Sequence, residues 1–456
     1  FPEVLFAEKL GSTAVDVFDI ELVQGAKPVV HKEKRWGHKE LGALRMQLDE
    51  MLAISVIEHG QGAWASRLVL VPKKGGEIRI CVDYRDLNKM VQKNAYPAPN
   101  IDTVLESLKG MKWFTALDLE KGYHQVSMSE KAKECSGFRC PFGFYRYKRM
   151  PFGMKNAPAT FQRIMDVVLK DLTWKECMVY LDDVIVFNLE WDGHMTSVMR
   201  VLQRIKEAGL TVKLKKCQFG QVTIEYLGYV VSFEGVKPNP AKVRAVEQFE
   251  TPGCVGELRS FLGFAGVLRR FIRHYGKMSR ELYQLLHKSA GALWSRGKAW
   301  QKVHQIAFQA LKDVVTQDVL LAHPQFDRPF MMVCDASDYG VGAMLAQVDD
   351  KANERPVAFA SAVLSELARK YTVTEKEGFA VVWATGQFRA YIEGMPTLVM
   401  TDHSALTYIL DKGDPPRRMA RWVMTLAQYT LEYIHRKGSH NQVADAMSRL
   451  RRNMDG

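Results

Sequence analysis

No stretch of this sequence approaches the roughly 18 uninterrupted apolar residues that a membrane-spanning helix needs, so a helical membrane protein is not expected. The seven cysteines, Cys81, Cys135, Cys140, Cys177, Cys217, Cys254 and Cys334, are odd in number and scattered, with no Cys-x-x-Cys pair. That spacing argues against a zinc or redox centre and for free thiols in a reducing compartment. Internal repeats and low-complexity runs are also missing, which excludes solenoids and biased tails. The opening Phe-Pro-Glu-Val has neither an initiator methionine nor a signal peptide, so the start reads as a cut from a longer polypeptide. Acid is in deficit: 51 Asp and Glu face 63 Lys and Arg, a net charge of +12, which favours a polyanionic partner.

What is present is the composition of a folded protein, 47% hydrophobic and 25% charged, over a length of 456 residues that calls for two or more cores. Residues 40 to 58 carry helical spacing, and Leu68 to Val71 with Ile78 to Val82 flank Lys73-Lys74-Gly75-Gly76 as a basic hairpin. A helix around Ile101 to Lys109, a strand at Trp113 to Asp118, a helix around Ala157 to Leu172 and the apolar run Met178 to Phe187 follow, an α+β unit with acids at its centre. From Pro238 the pattern turns helical: Leu258, Phe261, Leu262, Ala265, Leu268 and Ile272 lie on one apolar face. Residues 237 to 300 hold twelve Lys or Arg against four Asp or Glu, so most of the net charge sits there. After about residue 325 the pattern becomes strand, strand, helix, strand, helix, a second α/β unit.

Within Met178 to Phe187, Asp182 and Asp183 interrupt a run of β-formers. If the flanks form a hairpin, the acids lie at its turn, where they face either a cleft or plain solvent. Asp118 ends another strand-like run, Trp113-Phe-Thr-Ala-Leu-Asp. Three carboxylates from two strand ends suit two divalent cations roughly 4 Å apart, which can activate a 3′-hydroxyl and stabilise departing pyrophosphate. Lys73, Lys74 and Arg79 are candidates to clamp a triphosphate, the alternative being a solvated basic hairpin.

Val82-Asp83-Tyr84-Arg85-Asp86-Leu87-Asn88-Lys89, Leu117-Asp118-Leu119-Glu120-Lys121-Gly122-Tyr123-His124-Gln125, Met150-Pro151-Phe152-Gly153-Met154-Lys155-Asn156-Ala157-Pro158 and Tyr180-Leu181-Asp182-Asp183 stand in the order found in reverse transcriptases. With Tyr226-Leu227-Gly228-Tyr229 after them, the sequence most resembles the gypsy-type (Metaviridae) LTR retrotransposon class. The resemblance implies a right-hand fold of fingers, palm and thumb. It makes Asp118, Asp182 and Asp183 metal ligands, with the Leu119 carbonyl as a further one, and Tyr123 the steric gate against a 2′-hydroxyl. Phe152, where many retroviral enzymes have glutamine, packs on the nucleotide, and Tyr226, Leu227, Gly228 and Tyr229 resemble the primer grip. The chain departs from the family pattern at Gly75, at Cys135-Ser136-Gly137-Phe138 and at Val267-Leu268-Arg269-Arg270-Phe271, none of which removes a metal ligand.

Further on, Asp335 ends the strand-like Pro329-Phe-Met-Met-Val-Cys-Asp, Glu377 lies in a helical stretch, Asp402 ends Thr397-Leu-Val-Met-Thr-Asp and Asp445 opens Asp-Ala-Met-Ser-Arg. Singly each reads as a cap or surface acid. Together, over about 327 to 449, they resemble the four metal-binding carboxylates of ribonuclease H, which implies metal-activated water cutting the RNA strand of a hybrid. His435, read as lying in a loop ten residues before Asp445, is either an aid to product release or an ordinary surface histidine.

The resemblance therefore implies an RNA- and DNA-templated DNA polymerase with its own ribonuclease H, an α+β right hand followed by an α/β ribonuclease H-like domain. The expected division is an N-terminal leader or linker over 1–18, fingers and palm over 19–236, a basic helical thumb over 237–325, ribonuclease H over 326–449 and a tail over 450–456. The cofactor expected is Mg²⁺, two ions per site, with Mn²⁺ as a substitute. Expected partners are dNTPs, primer-template duplex and RNA-DNA hybrid, with a homodimer on substrate and no membrane. Arg269, Arg270, Arg273 and Lys277 are candidates to hold duplex phosphates, against a solvated helix face. Location is expected in cytoplasmic virus-like particles, with delivery to the nucleus. No protease-like Asp-Thr/Ser-Gly and no integrase-like zinc cluster occurs, so the chain reads as the polymerase and nuclease portion of a polyprotein. A group II intron or telomerase-like polymerase fits the first acid set and not the second. A host-adopted binding protein would be expected to lose acids, and a structural role in particle assembly is compatible with catalysis.

Overall fold

The computed structural model describes residues 1–456 except 6–8, 32–35, 73–77, 98, 287–293, 295–299, 318, 402–416 and 436–456, and at 39, 72, 78, 79, 417, 418 and 435 it describes the main chain alone. The chain forms two compact units, Phe1–Leu227 and Gly228–Gly456. Among the described residues no helix is long and apolar enough to cross a membrane. All seven cysteines are free thiols.

In the first unit, α1 (His38–Ala53) precedes the antiparallel pair β1 (Arg67–Pro72) and β2 (Ile78–Asp83), the expected basic hairpin. The helical spacing read over 40 to 58 stops early because Ile54, Val56 and Ile57 are β-branched and Ser55 turns left-handed at φ 55°, so Ile57–His59 is a strand. Helix α2 (Ile101–Ser107) leads into β3 (Trp113–Asp118), then α3 (Ala157–Val168), β4 (Cys177–Tyr180), β5 (Asp183–Asn188), α4 (Trp191–Glu207) and β6 (Gln218–Gln221). Helix α3 ends before Leu172, with Asp171 and Trp174 left-handed at φ 72° in the turns beyond it.

Strands β6, β3, β5 and β4 make an antiparallel sheet in that order. Phe114, Thr115 and Leu117 are buried along β3, and Thr115 Oγ1 meets His194 Nε2 of α4 at 2.8 Å, which ties the sheet to the helix on one face. Phe161, Ile164, Met165 and Val168 of α3 are buried in the same core as Leu117, Val179 and Val184. Each such side chain contributes roughly 1.5–3 kcal/mol by leaving water, so the strand ends that carry the acids rest on a firm base.

In the second unit, α5 (Val255–Val267), α6 (Tyr275–Gln284) and α7 (Lys302–Val315) bury Leu258, Phe261, Leu262, Ala265, Leu268 and Ile272 with Phe308 and Leu311. The predicted apolar face is real but not one helix: α5 stops at Val267, a 3-10 turn spans Arg269–Phe271, and Ile272 lies beyond it. Next come β7 (Phe330–Ala336), β8 (Gly340–Val348), β9 (Glu354–Val363), α8 (Val373–Gln387), β10 (Thr397–Thr401), α9 (Arg417–Leu426) and β11 (Leu431–His435). The sheet order is β9-β8-β7-β10-β11, with β7, β10 and β11 parallel and the rest antiparallel. Two strands exceed the expected pattern. His435, read as a loop residue, ends β11, since Leu431, Tyr433 and Ile434 suit a half-buried edge strand beside β10.

Candidate active site

Strands β4 and β5 close through a tight hairpin in which Asp183 pairs with Tyr180, leaving Leu181 and Asp182 as the turn. Leu181 takes a left-handed φ of 56°, rare for a residue with a β-carbon. Gln162 of α3 holds that shape: its buried Oε1 accepts the Leu181 N–H at 2.8 Å, and its Nε2 donates to Asp166 Oδ1 at 2.9 Å. On the other side of β5, Asp183 stands directly opposite Asp118 in the β3 register. Like charges at facing positions repel. Asp183 is exposed, yet the protein crowded around it and then the charges of Asp182 and Asp118 push its carboxyl above the ordinary range, with Lys216 pulling back. Lys216 Nζ lies 3.0 Å from Asp118 Oδ2.

Hard, mutually repelling carboxylate oxygens are the donor chemistry that suits a divalent cation. Among the described residues no three His, Cys, Asp or Glu side chains are gathered closely enough to hold an ion. The chemistry of the three carboxylates suits a cation, their spacing does not gather them around one, and Asp118 faces the Lys216 ammonium.

Tyr123 sits in a 3-10 turn, Gly122–Gln125, that follows β3. Gly122 fits closely there, since a Cβ would stand 3.1 Å from Phe161 Cζ and 3.4 Å from the Leu119 Cβ and would press both side chains back. The Tyr123 ring is buried and stacks on Phe152 with centroids 4.7 Å apart and planes 18° apart. Burial, then the Asp182 charge, raises its phenol to about 12. Leu119 is buried. Tyr226 is buried as well and donates its hydroxyl to the Asp183 carbonyl at 3.3 Å. Leu227 and Gly228 follow at φ 50° and 78°, the two left-handed positions of a tight hairpin turn before Tyr229. The Asp83 to Lys89 motif also has a clear task. Asn88 Nδ2 donates to the Gly153 carbonyl at 2.8 Å and its Oδ1 accepts the Lys155 N–H at 2.8 Å, clasping the loop that presents Phe152.

The second acidic pair is built on β7 and α8. Asp335 occupies the penultimate position of β7, and buried Glu377 accepts the Ala336 N–H at 3.2 Å. His274 Nδ1 lies 3.6 Å from Asp335 Oδ2. Asp402 and Asp445 lie outside the described residues, as do Lys73 and Lys74; the Arg79 and His435 side chains are likewise outside them. Arg269, Arg273 and Lys277 are exposed, whereas Arg270 is half-buried, its guanidinium 5.4 Å from the Tyr229 ring centroid.

Residues 71–231 match the family described as Reverse transcriptase (RNA-dependent DNA polymerase), and residues 325–429 match the RNase H-like domain found in reverse transcriptase. The first match contains Asp118, Asp182 and Asp183, the second Asp335 and Glu377. The retrovirus-related Pol polyprotein from transposon 297 of Drosophila melanogaster is 37% identical over 89% of this chain and 38% of its own length. That from transposon gypsy of the same species is 33% identical over 88% of this chain and 40% of its own length. This chain belongs to the reverse transcriptase and ribonuclease H family of gypsy-type LTR retrotransposon Pol polyproteins. Its two matched regions are those of an RNA-directed DNA polymerase and a ribonuclease H. The Tf2-3 polyprotein of Schizosaccharomyces pombe is 32% identical over 95% of this chain and 32% of its own length. The chain thus spans about two fifths of the first two relatives and a third of the last.

The fold agrees. A foamy viral protease-reverse transcriptase in complex with double-stranded DNA superposes with a TM-score of 0.80 at 20% identity, covering 94% of this chain and 75% of that one. The same viral protein with an RNA/DNA hybrid gives 0.75 at 19% identity, covering 95% and 58%. The chain is therefore a right-hand polymerase fold followed by a ribonuclease H-like α/β domain. The sequence signals missed Gln162, Lys216 and His274. Lys216 had one clue, the basic Lys213-Leu-Lys-Lys run after a helix, while Gln162 and His274 carry none in their spacing.

Proposed function

We propose that this chain extends DNA primers on RNA and DNA templates with dNTPs at the first acidic site and hydrolyses the RNA strand of RNA-DNA hybrids at the second. The observation that carries the reading is the Asp118–Asp183 register pair beside Asp182, a concentration of negative charge at the ends of the two central strands within the polymerase match. Asp118, Asp182 and Asp183, with the Leu119 carbonyl, would hold Mg²⁺ at the first site, and Asp335, Glu377, Asp402 and Asp445 at the second. When bound, the ions supply activation of the attacking oxygen and neutralisation of charge on the leaving oxygen. The protein's own part is positioning. Gln162 and the left-handed Leu181 aim Asp182, Tyr226 steadies the Asp183 backbone, and the Tyr123–Phe152 stack forms the wall against which the incoming sugar packs.

Lys73, Lys74 and Arg79 belong to the triphosphate end of this reading and Tyr226 to Tyr229 to the primer end. The exposed Arg269, Arg273 and Lys277 would meet duplex phosphates, and half-buried Arg270 would brace Tyr229. The corresponding division is fingers and palm over 19–236, thumb over 237–325 and ribonuclease H over 326–449. The foamy viral relatives with double-stranded DNA and with RNA/DNA hybrid support these substrate classes.

The test is extension of a labelled DNA primer on an RNA template with dNTPs and Mg²⁺, reading DNA product and RNA fragments together. Asp182→Asn is expected to abolish synthesis and spare cleavage, and Asp335→Asn the reverse. A wild type inactive in both assays, or variants indistinguishable from it, overturns the reading.

A further inference from the structure

The ribonuclease H-like sheet is approached by a residue from outside its own matched segment. Asp335 of β7, Gly342 of β8 and Ser361 of β9 lie in one cross-strand row, Asp335 paired with Gly342 and Gly342 with Ser361. The N-terminal end of α6 rests on that row. Gly276 N–H donates to Ser361 Oγ at 2.8 Å, and one turn further on the Arg280 guanidinium lies 3.6 Å from the centroid of the Tyr339 ring. His274 precedes the helix at φ 58° and ψ 29°, a left-handed conformation that is unfavourable for a residue with a β-carbon and persists only where the surroundings enforce it. The surroundings do enforce it. Gly342 leaves the space the imidazole occupies, since a Cβ there would stand 2.6 Å from His274 Nδ1, and the same nitrogen lies 3.6 Å from Asp335 Oδ2.

Two roles are open to such a contact, a plug over the acid or a brace beside it. The Asp335 side chain keeps 45% of its surface exposed, so the ring covers one side and leaves the other open to an ion and substrate. That favours the brace. We propose that His274 is a positioning residue of the nuclease site, seated over Gly342 with its ring edge against the Asp335 carboxylate, so that the basic helical segment supplies a group to the second acidic site. The inference rests on the reading of Asp335 as a nuclease metal ligand. Groups that orient a ligating carboxylate are typically worth 10–100-fold in metal affinity or activity.

The experiment uses the full chain. His274→Ala, His274→Asn and Gly342→Ala are compared with wild type and Asp335→Asn for the Mg²⁺ concentration giving half-maximal RNA cleavage. Mn²⁺ binding without nucleic acid is followed by electron paramagnetic resonance in an Asp182→Asn/Asp183→Asn background that silences the first site. Asn tolerates the left-handed backbone and keeps a polar edge, whereas Ala at 342 pushes the ring away without removing it. His274→Ala and Gly342→Ala are expected to raise the half-saturating Mg²⁺ and weaken Mn²⁺ binding about tenfold, His274→Asn to recover most of the loss, and primer extension to stay at the wild-type rate, which also reports folding. Unchanged metal dependence in His274→Ala while Asp335→Asn is dead overturns the proposal alone, as does faster cleavage, the signature of a plug. Wild-type cleavage by Asp335→Asn overturns the site reading and the proposal with it.

Discussion

Replacing Gln162 by leucine removes the acceptor that holds the turn carrying Asp182. Gln162 is buried and the two side chains are close in volume, so the change is largely polar. Leu181 loses the partner of its N–H, now 2.8 Å from Oε1, and Asp166 loses one donor while keeping the Tyr96 hydroxyl at 2.6 Å. A donor stranded in this way costs about 1–3 kcal/mol, and the half-buried position of Leu181 places it near the lower half of that range. Taking about 1.5 kcal/mol, and about 2–4 °C per kcal/mol for a unit of this size, the first unit should melt roughly 3–6 °C earlier. Because among the described residues no other side chain holds that amide, primer extension should fall further than the loss of stability explains, with RNA cleavage unchanged. Differential scanning calorimetry and single-turnover extension on one preparation measure both. A melting temperature within about 1 °C of wild type together with full extension would refute the assignment of Gln162 as the support of this turn.

Two other outcomes follow from described contacts. Asp83 is held at about 2 by the hydrogen bond from Arg85, below its usual value near 4, so it stabilises the folded state above the unfolded pKa. That contribution is lost as pH falls from about 4 towards 2; Asp83→Asn should flatten the acid limb of urea-denaturation stability in that window, and an unchanged limb would dismiss the ion pair. For duplex binding, Arg273→Ala should weaken affinity for all sequences alike and lower the slope of log affinity against log salt by about one, and a variant that keeps the wild-type slope removes Arg273 from the phosphate contacts.

How much could be read in advance depended on whether the determining interaction was local. Strand β3 and the β4–β5 hairpin were legible because runs of β-formers end in acids, and the parallel strand β10 because Thr397-Leu-Val-Met-Thr is continuously buried. Strand β9 was not, because Glu-Arg-Pro-Val-Ala-Phe-Ala-Ser-Ala mixes charge, small residues and a proline; its place at the sheet edge explains why Pro356 is tolerated. The end of α1 was overrun because Leu52, Ile54 and Val56 continue an apolar pattern that only the left-handed Ser55 interrupts. Asp118, Asp182 and Asp183 stood out by motif, but the side chain that holds the Leu181–Asp182 turn did not: Gln162 lies nineteen residues from Leu181 and inside a helix whose pattern explains it as core. His274 and Asp335 are farther apart still, and only the docking of α6 on β8 and β9 brings them together.

The Asp118–Asp183 register pair sets chemistry against durability. Facing carboxylates on neighbouring strands strain the sheet they sit on, and Lys216 offsets only part of that repulsion. An Asp183→Asn copy would relieve the repulsion, so inactivation at this position would leave a protein at least as stable as its parent. A copy carrying that substitution can therefore persist as a well-folded product. On the function proposed above, foldedness and activity are uncoupled at this pair, and a screen that scores expression or thermal stability alone would favour the substituted copies.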